Sequence, residues 1–429
     1  MRIQNLTLAS LSMLALVLAG CGSVGGDPML GSKTSIAVIG DMPYGKNPKD
    51  TAEFDANPGF IAAINKDKDV SMVMHAGDIH SGSQYCTLDY DAAIYNQWTA
   101  YKVPLVYTPG DNEWADCHKK KEGGGSYDKT TGTIKHVQDD SGRVINYAGG
   151  DPLANLELVR SVFFSPAGKT LGAAMTVHTQ AQEFDAAHPA DSAFTENVWF
   201  EKAGVLFVTL NIPGGSNNGT DHWFGTPTMS PVQQKLVTDF TGAAMRWLDT
   251  AFAKAKANGN IAVVIMVQAD MWDLDGDKMS DQHLTEYKRY IDKMAALTLG
   301  FAKPVLLING DSHIYRSDNP LVKGAPCQVE VPSTTGSKKT VTTSCADSVA
   351  NGALKGLTNA DPYGIVQVKS DPGFVPNYNV ANFHRLVVHG NAMASKTDQE
   401  YVKLTIDPSV NTVASANTFG PFTWTRVQP

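Results

Sequence analysis

Asp41, Asp78, Asp111 and Asp311 occupy the same place in four separate stretches of the chain: each follows a short apolar run closed by glycine. The runs are Ile36 to Gly40, Val70 to Gly77, Val103 to Gly110 and Val305 to Gly310, and His313 stands two residues beyond the last aspartate. A fifth run, Ile261 to Val267, ends at Gln268-Ala-Asp270. Apolar runs this short between turn signals read as strands buried on both faces. In open α/β sheets, ligand-binding groups lie just beyond the carboxyl ends of such strands. Carboxylates gathered there would repel one another and be partly protonated unless cations sat among them. The chemistry this pattern supports is therefore a metal site. A single Gly-Asp after a strand can be only a turn or a helix cap; the repetition carries the reading.

The elements that must position these residues follow from periodicity. Helices are expected around Phe60 to Asn65, over Asp91 to Tyr101, from Pro231 to about Asn258, and near Asp281 to Leu299. The third shows Leu236, Phe240, Met245, Leu248 and Phe252 along one broad face. Val198-Trp-Phe and Val205 to Leu210 read as a β pair turning at Ala203-Gly204, followed by an amide-rich loop from Ile212 to Gly219. Residues 119–150 are polar and Gly-rich, and read as an excursion from the core with a hairpin turn at Asp139 to Gly142. Residues 323–379 read as a second insertion, a loop with little periodicity. The alternating stretches at Leu386-Val-Val, Val402 to Ile406 and Phe422-Thr-Trp suit antiparallel strands completing a second sheet.

With 42% hydrophobic and 18% charged residues, the composition fits a globular protein and excludes a disordered or membrane-embedded one. The charge balance is acidic, 35 basic against 43 acidic residues, and the only basic cluster is Lys119-Lys120-Lys121. No nucleic-acid surface is expected, and no partner protein is implied.

Residues 1–20 resemble a bacterial lipoprotein signal peptide. Arg2 gives a positive start, Leu6 to Leu18 an apolar segment, and Leu18-Ala-Gly-Cys21 the cleavage pattern after which Cys21 would carry the lipid. Residues 21–33 are then a flexible tether, and 34–429 a single domain. The resemblance implies a lipid-anchored protein of the bacterial cell envelope, on the outer membrane and facing the periplasm, touching the membrane through that anchor alone. Four cysteines remain, Cys86, Cys117, Cys327 and Cys345, an even number that in an exported chain implies disulfides. Three connectivities are open; nearest-neighbour pairing is the expectation.

Taken in order, Asp41, Gly77-Asp78, Gly110-Asp111-Asn112-Glu113, Gln268 and Gly310-Asp311-Ser312-His313 resemble the calcineurin-like metallophosphoesterases, a superfamily that includes the purple acid phosphatases. Its members carry Asp-x-His or Asp-x-Gly, then Gly-Asp, Gly-Asn-His-Asp/Glu, a strand-end His and Gly-His-x-His. The resemblance spans roughly Ile36 to Arg316. It implies a mixed α/β fold of two packed mixed β-sheets flanked by helices, a four-layer αββα sandwich. It also implies hydrolysis of phosphate mono- or diesters, with a small phosphate ester as substrate. Carried over by position, one cation would take Asp41, Asp78 and His313; the other would share Asp78 and take Asp111, Asp311 and Gln268.

The departures from the pattern matter as much as the matches. Pro43, Asp111, Gln268 and Asp311 replace nitrogen or amide ligands, so the second cation would meet oxygen. That favours Mn²⁺ or Mg²⁺ over Zn²⁺, with Ca²⁺ or iron also admissible. Asn112 stands where the family has the His that protonates the leaving group, which leaves His80 and His118, close to their motifs, as candidate acids. Asn217, Asn218 and Arg316 are candidate phosphate contacts, since guanidinium matches phosphate geometry. Tyr44 is a further candidate ligand of the purple-acid-phosphatase kind. A non-catalytic, cation-binding envelope lipoprotein on the same scaffold is the alternative reading.

Overall fold

The strand-end motifs are sorted by two sheets, which the computed structural model describes over residues 31–272, 281–322, 325–333, 340–345, 347, 378–390 and 399–429. Cys21, the expected signal segment and most of 323–379 lie outside the described residues. In the first sheet, of seven strands, Thr34–Ile39, Val70–His75 and Pro104–Tyr107 are parallel neighbours. In the second, of nine strands, Val205–Thr209, Ala262–Met266, Val305–Asn309 and Phe383–Val387 run parallel side by side. Nearly every residue of these strands is buried, because both faces of each sheet are covered.

The covering makes four layers. Between the sheets, Ile36, Val38, Met72 and Met74 pack against Phe207, Val264, Leu306 and Leu386. Outside the first sheet, Ala52–Lys66, Leu88–Trp98 and Pro152–Phe163 form one helical layer, contributing Phe60, Ile64, Trp98 and Phe163. Outside the second, the long helices Pro231–Ala257 and Asp281–Phe301 supply Trp247, Phe252, Tyr287 and Tyr290. Burying these faces at about 25 cal/mol per Å² of apolar area is what holds helices on sheets. The arrangement is the mixed α/β sandwich with two mixed sheets that the sequence led us to expect.

Several local expectations change. The first helix starts at Ala52, well before Phe60, and carries Pro58 within it. In the 119–150 excursion Asp139 to Gly142 does turn a short hairpin, with Gln138 bridged antiparallel to Val144, but a second pair not expected from the sequence, Gly125–Asp128 with Thr133–His136, turns at 129–132. The described part of 323–379 is a hairpin, Gln328–Pro332 against Thr340–Ser344, at the edge of the larger sheet. Phe383–Val387 does not join the other C-terminal strands. It is buried throughout and lies parallel to Val305–Asn309, whereas Tyr401–Ile406 and Phe422–Val427 extend the first sheet antiparallel to Thr34–Ile39. Disulfides join Cys86 to Cys117 and Cys327 to Cys345.

Candidate metal centre

Parallel neighbours end at the same edge, so Asp41, Asp78 and Asp111 arrive together from the first sheet, and Gln268, Asp311 and His313 from the second. The two edges are tied by hydrogen bonds across the seam. The Asp311 N–H donates to Asp41 Oδ1 at 2.8 Å, and Thr108 Oγ1 donates to the Leu210 carbonyl at 3.0 Å. Asp41, Asp78 and His313 then offer ligand atoms all within 4.8 Å of one another. His313 Nε2 lies 3.6 Å from Asp41 Oδ1. Asp41, Asp78 and Gln268 form a buried floor, while Asp311 and His313 are partly exposed and mark the open side.

This convergence is held in unfavourable backbone. Asp41, Asp78, Asp311 and His313 all adopt left-handed conformations, with φ of 53°, 58°, 72° and 60°. Such positions cost on the order of 1–3 kcal/mol each in non-glycine residues and gather where a site needs them. Close approach is also needed. At Gly110 a Cβ would collide with Asp78 Oδ1, and at Gly214 it would lie 2.6 Å from Asp311 Oδ1 and 2.8 Å from Asp111 Oδ2. Glycine is the only residue that lets those loops close over the carboxylates.

Asp78 is the most heavily bonded member. Its Oδ2 accepts from Tyr44 Oη at 2.8 Å, Asn112 Nδ2 at 3.0 Å and Gln268 Nε2 at 3.3 Å, and its Oδ1 accepts from the Asn112 N–H at 3.2 Å. Tyr44 Oη is also 3.1 Å from His313 Nε2, which puts it among the ligand atoms. Its place is three residues after Asp41, a spacing that could have promoted it from the sequence. Glu113, which the sequence reading left without a role, clamps the loops from below. Its Oε1 accepts from the Asp78 and Gly110 N–H groups at 3.1 and 2.8 Å, and from Tyr107 Oη.

The donor set fits a divalent cation. Asp41 Oδ2 is buried without a hydrogen-bond partner, where an oxygen anion needs a proton or a cation. Burial and the neighbouring acids, Asp111 and Glu113 foremost, hold the Asp41 and Asp78 carboxyls well above their ordinary values. Asp111 is pushed up to about 7, by burial first and by Asp116 next, with Lys119 opposing. A cation among them would remove that repulsion.

Other expected site residues are placed differently. Gln268 presents its amide nitrogen, not its oxygen: Nε2 donates to Asp78 and, at 3.0 Å, to Asp111 Oδ1, while Oε1 accepts the Gly214 N–H at 2.5 Å. Because a backbone N–H can only donate, the amide orientation is fixed. Arg316 is buried, not offered to substrate. Its Nε lies 3.1 Å from Asp318 and its Nη2 donates to the Trp272 carbonyl, within a network that includes Asp270 and Arg385. Asn217 bonds Thr241 and Tyr290 in the helical layer, and Asn218 Oδ1 accepts from Trp223 Nε1. The Asn217 side chain is spent on packing the loop, whereas Asn218 Nδ2 is buried without a hydrogen-bond partner.

The catalytic candidates also move. Asn112 serves as a donor to Asp78 and to the His80 carbonyl. The His80 ring packs edge-on against Tyr90 with Nδ1 at 3.2 Å from the Ser81 carbonyl, and burial lowers its pKa to about 4. His118 Nδ1 accepts the Phe224 N–H at 2.9 Å, and Nε2 belongs to a separate group with Asp116 and Asp221. Lys119 bridges those two carboxylates, at 2.9 Å from Asp221.

A family model for the calcineurin-like phosphoesterases matches residues 34–240. Over those residues, just under half of the chain, the protein is similar to this phosphoesterase family. The match takes in Asp41, Asp78 and Asp111 but ends before Gln268, Asp311 and His313, which join the centre by geometry alone. No curated protein matches the chain in sequence. Among solved structures, a purple acid phosphatase from yellow lupin (Lupinus luteus) seeds is 13% identical, with a TM-score of 0.35, over 94% of this chain. The chain spans 55% of that protein's length, and at that score the likeness carries no argument. The family implies a dinuclear divalent centre.

Proposed function

We propose that the protein is a metal-dependent hydrolase of small phosphate esters, mono- or diesters, working at the seam between the two sheets. The observation that carries this is the meeting of Asp41, Asp78 and His313, with Asp41 Oδ2 left open among them. These three residues, with Tyr44 beside them, would hold the first cation; Asp111 and Asp311 are the remaining carboxylates for a second. Bound cations there would supply charge stabilisation for the phosphoryl group and a hydroxide nucleophile at neutral pH.

The protein's own part is positioning. Glu113 fixes the Asp78 and Asp111 loops, and Asn112 orients Asp78. Tyr44 keeps its proton, since burial and the charges of Asp78 and Asp41 push its pKa up, and its Oη holds that proton against Asp78 Oδ2. Lys119, held between Asp116 and Asp221, is a cationic side chain whose field reaches Asp111. Asn112 donates to Asp78 and the His80 carbonyl where the resembled family has its proton-donating His, so leaving groups that need little protonation are favoured.

Oxygen-rich ligation supports Mn²⁺ or Mg²⁺ over Zn²⁺. The N-terminal pattern ending at Cys21 supports an envelope lipoprotein facing the periplasm, and the two disulfides agree with an oxidising compartment. The test is a matrix of cations against aryl phosphate mono- and diesters on chelated protein. We expect Mn²⁺ or Mg²⁺ to restore hydrolysis better than Zn²⁺, and Asp78→Ala to abolish it with every cation. Retention of the rate by Asp78→Ala would overturn the catalytic reading.

A further inference from the structure

We propose that this centre fills in order and unequally: one cation binds tightly between Asp41, Asp78 and His313, while the Gln268 amide holds the second position shut. The inference rests on the metal-site reading above and concerns how many ions the site takes. A second cation sharing Asp78 would have to sit between Asp78 and Asp111. That is where the two hydrogens of one amide group already point, 3.3 Å to Asp78 Oδ2 and 3.0 Å to Asp111 Oδ1. An –NH₂ group has no lone pair to offer a metal, and its hydrogens repel one.

Turning the amide over would not be free. Gln268 Oε1 is engaged by the Gly214 N–H at 2.5 Å, and the loop that carries it is pinned in turn. Tyr287 Oη donates to the Pro213 carbonyl at 2.7 Å and accepts the Asn217 N–H at 2.9 Å. A flipped amide would set its –NH₂ against a backbone N–H, leaving two donors face to face in a fully buried spot. The first position differs: Asp41 Oδ2 has no partner to displace, and the group bonded between Asp78 Oδ2 and His313 Nε2 is the Tyr44 hydroxyl, whose oxygen, unlike an –NH₂, can face a cation.

Losing the three Gln268 hydrogen bonds, each a factor of several in an equilibrium, sets the second affinity roughly 100-fold or more below the first. In this account Gln268 is a gate, supplying through its two N–H groups part of the neutralisation of Asp78 and Asp111 that a second ion would otherwise give.

The test counts ions rather than turnover. Chelated full-length protein is titrated with Mn²⁺, and bound metal is measured by elemental analysis after gel filtration and by electron paramagnetic resonance. We expect one Mn²⁺ per chain with the spectrum of an isolated ion. The isosteric Gln268→Glu variant, which keeps an acceptor for Gly214 and replaces the –NH₂ by a carboxylate oxygen, should bind two ions with an exchange-coupled spectrum; Gln268→His is the second variant, with the same expectation. Two equally tight, coupled ions in the unaltered protein would overturn the gate and leave the metal-site reading intact. One ion in all three proteins would also overturn it, by showing that Gln268 does not close the position. No bound ion at all would remove the metal centre itself.

Discussion

The most decisive consequence for stability is that the metal-free protein carries a penalty at Asp111 that asparagine would relieve. The folded chain holds the Asp111 carboxyl at about 7, against an ordinary value of 3.8, because it is buried and faces Asp116. The folded state therefore keeps a proton that the unfolded state releases. The sign follows: folding is favoured by this group at low pH, and that advantage is lost as pH rises from about 4 to about 7. At roughly 1.4 kcal/mol per pH unit, the full difference is about 4 kcal/mol.

Asp111→Asn keeps an acceptor for Gln268 Nε2 and abolishes the titration. In chelator, denaturant unfolding of the variant and the parent should agree near pH 4 and diverge towards neutral pH, the variant becoming more stable by about 2–4 kcal/mol above pH 7. Only this difference is diagnostic. His75 and His80, lowered to about 4, and His384, lowered to about 3, give the parent an opposing trend that stabilises it as pH rises towards 6.5. Adding Mn²⁺ should shrink the gap only in part, because a cation held by Asp41, Asp78 and His313 weakens the repulsion on Asp111 without bonding it. A parent as stable as the variant at pH 7.5 without metal would refute the argument that these carboxylates are stressed by burial.

Two further outcomes are expected. Arg385 is fully buried and bonds Asp318 at 2.9 and 2.8 Å and Asp270 at 2.5 Å, so Arg385→Met should destabilise the fold by about 3–5 kcal/mol in urea unfolding, chiefly by stranding Asp270, since Arg316 Nε stays 3.1 Å from Asp318. The damage should reach the centre as weaker Mn²⁺ binding, since the Asp270 N–H holds Asp311 Oδ2 at 3.0 Å. Finally, with Asn112 bonded to Asp78 and the His80 carbonyl where the resembled family has its proton-donating His, rates on a series of aryl phosphates should fall steeply as the leaving phenol becomes more basic. A flat dependence would show that a proton donor reaches the leaving oxygen.

The placement of the four aspartates was written in the sequence. Each sits one step beyond a short apolar run closed by glycine, and a run buried on both faces, with parallel neighbours, has its carboxyl end at a shared edge. The long helix Pro231–Ala257 was legible for a related reason: a 3.6-residue apolar period persists over many turns, with Pro231 at its start. What each polar side chain does at that edge was decided elsewhere. Gln268 looked like an oxygen ligand, but a glycine 54 residues earlier donates to its oxygen and turns its nitrogen towards Asp78, 190 residues away in sequence. Arg316 follows the last motif directly, yet Asp318 and the Trp272 carbonyl draw it inward. His118 lies beside its motif, but the Phe224 N–H fixes its ring from a separate loop. Strand ends are set by local apolar periodicity. The hydrogen-bond partners of a buried amide, guanidinium or imidazole are set by whichever chain segments the packed layers bring within 3 Å, and no local pattern encodes that.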